Sequence, residues 1–175
     1  MFARKGYHRT SVEDIIAAAE VSRGTFYNYF PSKRAIFGEI LEGLFERIWE
    51  RVKPIDVEGE VAAQVLENLH GLIETFSGDE DLVRIVFGEA VGLDDEADEA
   101  LAVFYRRCRE RLARSLRTGQ EMGIVGAGDP EILAVSILGM IKEYWFHRML
   151  GAKLLKPHDF LSALYGHLTA GFLRM

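Results

Sequence analysis

The stretch SRGTFYNYFPSK (Ser22–Lys33) gathers aromatic rings, hydroxyls, one side-chain amide and two cations in a short span. A buried helix would not carry that much polarity, and a solvated face would not carry that many rings. Phe26 and Phe30 are spaced i, i+4, so a helix here turns both inward along one face. The remaining positions then face outward. Thr25, Tyr27, Tyr29 and Lys33 offer hydroxyl and ammonium donors of the kind that meet phosphate oxygens. Arg23 and Asn28 carry the donor and acceptor sets that match the edges of guanine and adenine. Gly24, having no side chain, allows close approach of the backbone. The chemistry of this face is that of a surface pressed into the major groove of duplex DNA.

Such a face needs a scaffold, and the flanking residues supply one. Ser11 precedes the apolar pattern Val12, Ile15, Ile16, Ala19, with Asp14 at the third helical position, a variant of the capping box. Ser22 is the next N-cap, Pro31 ends the helix it starts, and Ser32 caps a longer helix from Lys33 to about Lys53. Two short helices joined by a turn, Val12–Ala19 and Arg23–Phe30, match a helix-turn-helix in size and spacing. Glu20 stands in the turn, where a left-handed backbone would cost about 1 kcal/mol; the turn adopts either that conformation or another geometry. PIDVEGE (Pro54–Glu60) is rich in breakers and marks a boundary between residues 1–53 and 54–175. Beyond it the pattern predicts helices over Val61–Phe76, Asp79–Val91, Asp95–Thr118, Pro130–Leu150 and His158–Arg174. No convincing strand pair is found, so the fold class is all-α.

The chain has 175 residues and a net charge of −6, unevenly spread. Residues 1–38 carry six cations against three anions, a balance of +3, which leaves −9 on the rest. A basic head on an acidic body is the asymmetry expected when one end meets phosphate. A hydrophobic content of 49% allows a substantial core. Cys108 is the only cysteine, which excludes an internal disulfide and agrees with a reducing cytoplasm. The most apolar run, Ile132–Ile141, is too short to span a membrane.

The segment FARKGYHRTSVEDIIAAAEVSRGTFYNYFPSKRAIFGEIL resembles the DNA-binding segment of the TetR family of bacterial transcriptional regulators. The resemblance covers about residues 2–41 and is most specific at GTFYNYFPSK. It implies an N-terminal helix-turn-helix domain followed by a helical-bundle domain for ligand binding and dimerisation. It also implies that Thr10 and Ser11 sit where the first motif helix meets the DNA backbone. Thr25, Tyr27, Tyr29 and Lys33 match phosphate-contacting positions of the family, while Arg23 and Asn28 fall at variable positions that tune the operator. The family has glycine where this chain has Glu20. Its first helix begins further upstream than FARK, so that helix is expected to be truncated here.

In the acidic body, ILAVSILGMI (Ile132–Ile141) is apolar around the whole helix and must be covered on more than one side. The last predicted helix adds Leu161, Leu164, Tyr165, Leu168 and Phe172. Paired with Ile137 and Ile141, these residues are expected to form a four-helix interface between two copies of the chain. A homodimer would match a palindromic operator. His70, Phe76, Phe87, Phe104, Tyr105, Cys108, Met122, Met140, Tyr144 and Trp145 are expected to surround a pocket for a small hydrophobic effector. The resemblance implies that such an effector wedges the bundle and swings the Lys33–Lys53 helix, releasing DNA.

Other chemistries find little support. LDDEADEA (Leu93–Ala100) concentrates carboxylates, but acids at a helix N-terminus serve its dipole. The five histidines show no i, i+4 pair, so no metal site is expected. No phosphate-cradling glycine loop, nucleophile elbow or base partner for Cys108 is present, so neither an enzyme nor a cofactor is expected. The expectation is a cytoplasmic, DNA-binding regulator, a ligand-responsive repressor that binds a palindromic operator as a homodimer and is released by a small hydrophobic effector; the alternative is a DNA-binding or protein-interaction module of the same fold without an inducer.

Overall fold

A computed structural model describes residues 1–88, 95–153 and 156–171. They form α1 (Phe2–Lys5), α2 (Val12–Ala19), α3 (Arg23–Tyr29), α4 (Lys33–Arg51), α5 (Val61–Ser77), α6 (Glu80–Phe87), α7 (Asp95–Glu121), α8 (Pro130–Met149) and α9 (Pro157–Gly171). The fold is all-α, with no strand among the described residues.

Capping side chains set the helix starts. Ser11 and Asp14 close a reciprocal capping box, each side chain accepting the other's backbone N–H at 3.0 Å. Ser22 accepts from the Thr25 N–H and Ser32 from the Ala35 N–H. Asp79 and Asp129 cap α6 and α8, and Pro130 occupies the first turn of α8. Each cap satisfies a donor that the helix itself leaves free.

A head of α1–α3 joins the body through α4. Phe2, Tyr7 and Phe37 form an aromatic cluster with ring centroids 4.9–5.5 Å apart, and all three are buried. This cluster anchors the start of the chain to α4. The head also leans on the body. The Tyr7 hydroxyl donates to Glu96 Oε2 at 2.8 Å, and Arg34 pairs with Glu99 at 2.8 Å. Two acids of the LDDEADEA run thus tie the start of α7 to the head; Leu93 and Asp94 lie outside the described residues.

The linker after α4 is held by α5. Asn68 exchanges two hydrogen bonds with the Lys53 backbone, both 2.8 Å, and Gln64 exchanges two with that of Asp56. The bundle core runs through Phe76, Val86, Phe87, Phe104, Cys108, Ile137, Ile141, Leu164 and Leu168.

Here the predicted interface requires correction. Ile137, Ile141, Leu161, Leu164 and Leu168 are buried inside the single chain, and Tyr165 is half-buried. They face inward because α7 packs on one side of α8 and α5 packs on α9. Phe172 lies outside the described residues. The outer face of α8 instead exposes Ile132 (63%), Val135 and Gly139, and that of α9 exposes Ala163, Gly166 and Ala170. The helix predicted to Val91 is described only to Phe87, and the end of the last one, at Arg174, lies outside the described residues.

Candidate nucleic-acid interface

Helix α3 has one buried side chain, Phe26, whose ring lies 5.9 Å from that of Phe30. These two rings hold the helix on its neighbours as the i, i+4 spacing predicts. Everything else on α3 faces out. Arg23, Gly24, Thr25, Tyr27, Asn28 and Tyr29 are exposed, Tyr29 to 77%. A methyl group on Gly24 would meet only Ser22 Oγ, at 3.8 Å, so the fold itself has room for a side chain there. The Ser22 and Thr25 hydroxyls lie 2.8 Å apart at the helix start. Arg23 is restrained by Glu13 of α2 at 3.5 Å and lies 5.8 Å from the Tyr27 ring.

The α2–α3 turn passes through Glu20 at φ 55°, ψ 36°, the left-handed geometry, with its N–H bonded back into α2. Among the described residues it is the single non-glycine with positive φ. Asp14 is held well below the usual carboxylate range, to about 2, chiefly by the Lys5 ammonium at 2.9 Å and then by Ser11.

Two predicted contact residues are engaged within the fold. Thr10 is buried to 1% exposure and its hydroxyl donates to the Gly6 carbonyl at 2.8 Å, so its side chain cannot reach an outside phosphate. Lys33 is half-buried; its ammonium donates to the Tyr7 carbonyl at 3.0 Å and sits 4.0 Å from that ring. Ser11 is exposed, with its oxygen engaged as the α2 cap.

The body contains a cavity of about 450 Å³ between α4, α5, α7, α8 and the linker. Phe76, Phe87, Phe104, Tyr105, Cys108 and Met122 line it, as the sequence suggested. His70, Met140, Tyr144 and Trp145 do not. His70 is exposed and pairs with Glu74 at 3.3 Å. Tyr144 stacks on Phe160 at 3.8 Å, Trp145 packs against Phe76, and Met140 lies half-buried against the core. Burial raises the Tyr105 hydroxyl, which donates to the Val86 carbonyl at 2.8 Å, and pushes the Cys108 thiol up to about 12. Trp49, Asn68, Arg111 and Arg114 also line the wall and were not foreseen. Phe45 and Trp49, at i, i+4 on α4, were the one sequence signal for part of this set. On the outer side of α4 and α7, Arg107 pairs with Glu42 and Glu46 and covers the Phe45 ring at 3.9 Å.

The arrangement of a short capped helix pair with an outward polar face on a helical body defines a helix-turn-helix regulator. The family model for bacterial regulatory proteins of the tetR family matches residues 1–40. The HTH-type transcriptional repressor DhaR of Mycobacterium sp. (strain GP1) is 30% identical over 137 residues, 77% of this chain and 69% of its own. The crystal structure of a TetR-family regulator from Syntrophomonas wolfei superposes with TM-score 0.82 at 28% identity, covering 95% of this chain and 86% of that one. Two more distant structures share the fold. AibR in complex with isovaleryl coenzyme A and operator DNA has TM-score 0.68 at 19% identity, covering 95% and 90%; a Saccharomonospora viridis regulator in complex with choline has 0.69 at 20%, covering 99% and 92%. The chain belongs to the TetR family of bacterial transcriptional regulators, which are not enzymes.

Proposed function

We propose that this chain is a ligand-responsive repressor that binds a palindromic operator as a homodimer. The observation that carries the DNA-binding part is α3: one face fixed by Phe26, the other an exposed set of Arg23, Gly24, Thr25, Tyr27, Asn28 and Tyr29. Arg23 and Asn28 read base edges, and Thr25, Tyr27 and Tyr29 meet phosphates, with Ser11 and the remaining donors of Lys33 beside them. Gly24 lets the helix backbone come close, since the fold does not itself exclude a side chain there.

The second copy docks through the outer faces of α8 and α9. Exposed Ile132 and Val135 supply apolar area, while Gly139, Ala163, Gly166 and Ala170 allow close helix approach. Such a dimer spaces its two α3 helices for half-sites about 34–36 Å apart. A DNA partner fits a cytoplasmic protein. No described helix is long and apolar enough to cross a membrane.

The cavity favours an effector over an inducer-free module. Helix α7 lines it at Phe104 and Cys108 and, nearer its start, holds the head through Glu96 and Glu99. Helix α4 lines it at Ile48 and Trp49 and carries the head directly. A ligand that prefers one spacing of α4 and α7 therefore biases the separation of the two α3 helices. Proteins of this fold hold ligands of opposite charge, an acyl-CoA in AibR and choline in the S. viridis regulator, so the fold does not choose the sign.

Selection from a random duplex pool tests the reading. Enrichment of an inverted repeat, bound by two chains, is the expected result. Recovery of no preferred sequence, or of single half-sites bound by one chain, would overturn it.

A further inference from the structure

We infer that the effector is an amphipathic anion, an apolar chain ending in a carboxylate or a phosphorylated head. This rests on the cavity being the effector site and adds the chemistry of what enters it. At about 450 Å³ the cavity has the size of a small-molecule site. Its interior is aliphatic and aromatic, which suits a hydrocarbon body.

The charge on its wall has one sign. Lys53, Arg111 and Arg114 line the cavity, and no described lining residue is a carboxylate. Lys53 is 2.7 Å from Glu67, which is off the wall. Arg111 and Arg114 have no ion-pair partner among the described residues. They stand three apart on one face of α7, and the Arg111 guanidinium lies 5.6 Å from the Trp49 ring.

Trp49, Arg111 and Arg114 also line a shallower outer groove, so they mark the seam where cavity and groove meet. The nearby acids Glu46, Glu50 and Glu110 belong to that groove and not to the cavity wall; Glu46 is 3.7 Å from Arg107. At the same seam the Trp49 indole N–H is buried and finds no acceptor among the described residues. An orphaned buried donor beside two guanidinium groups without carboxylate partners lacks one thing, an acceptor bearing negative charge. A carboxylate or phosphate satisfies all three, whereas a quaternary ammonium would leave the indole N–H without an acceptor and meet two like charges on the cavity wall.

Calorimetric titration of the full chain with decanoate, decanol and decyltrimethylammonium, each below its aggregation concentration, isolates the head group on a constant tail. Decanoyl-CoA is a fourth arm that separates a phosphorylated head from a free carboxylate. Decanoate or decanoyl-CoA is expected to bind about tenfold or more tighter than decanol, with decyltrimethylammonium weakest. In Arg111→Gln/Arg114→Gln the anion is expected to lose that advantage over decanol. Trp49→Phe, which keeps a ring and removes the donor, should lose part of it. Equal binding of all heads, or a preference for the cation, overturns the inference and leaves the cavity an effector site. Binding of none overturns the effector reading itself.

Discussion

Replacing Glu20 with glycine should stabilise the protein. Glu20 sits at φ 55°, ψ 36°, in the turn that sets α3 against α2, and its side chain is exposed. For a residue with a Cβ this left-handed conformation costs about 1–2 kcal/mol, which glycine avoids. Glycine in turn loses more chain entropy on folding, about 0.4–1 kcal/mol. The difference leaves a net gain of about 0.5–1 kcal/mol, or a rise of about 1–4 °C in Tm for a chain of this size. Urea denaturation of wild type, Glu20→Gly and Glu20→Ala separates backbone strain from the lost carboxylate. Glycine should raise the midpoint at unchanged slope, and alanine, which keeps the Cβ, should not. A midpoint lowered by glycine, or raised equally by both, would refute the strain argument.

Cys108 should be inert in the native protein: burial pushes its thiol up to about 12, so thiolate is scarce at pH 7. Labelling by iodoacetamide should be far slower than in denaturant, and rapid native labelling would contradict the geometry. Asp14 is depressed to about 2, so its contribution to stability is complete above about pH 4 and lost as pH falls through 2. The Tm gap between wild type and Asp14→Asn should accordingly close over that window, and a gap constant with pH would count against the Lys5–Asp14 contact. Gly119→Ala would place a Cβ 2.6 Å from Val125 Cγ2, beneath the buried turn after α7. A loss of about 1–3 kcal/mol in urea denaturation is expected, and a neutral result would mean the turn yields freely.

What the sequence discloses depends on whether the physics is local. The caps at Ser11, Ser22, Ser32 and Asp129, and the inward pair Phe26 and Phe30, act within one helical turn and are correctly legible. The left-handed turn at Glu20 is not legible, because a turn without glycine does not declare its backbone. The burial of Thr10 is not legible in the sequence, because its partner, the Gly6 carbonyl, depends on how α1 turns back. For α8 the period carries no information, since the helix is apolar all round. Which side faces α7 is a tertiary fact, and it put Ile137 and Ile141 inside rather than at an interface. The same limit sent His70 to the surface and Tyr144 onto Phe160, and hid the part of the linker that closes the cavity.

In the proposed complex α3 reads DNA with Arg23 and Asn28 while its tyrosines hold the backbone. Fluorescence anisotropy of wild type, Asn28→Ala and Tyr29→Phe, on a selected duplex and on random duplex over a salt series, tests it most directly. Asn28→Ala is expected to lose about 1–3 kcal/mol on the selected site and little on random DNA, while Tyr29→Phe should weaken both alike. Equal losses on both duplexes for Asn28→Ala, or no loss on either, would contradict it.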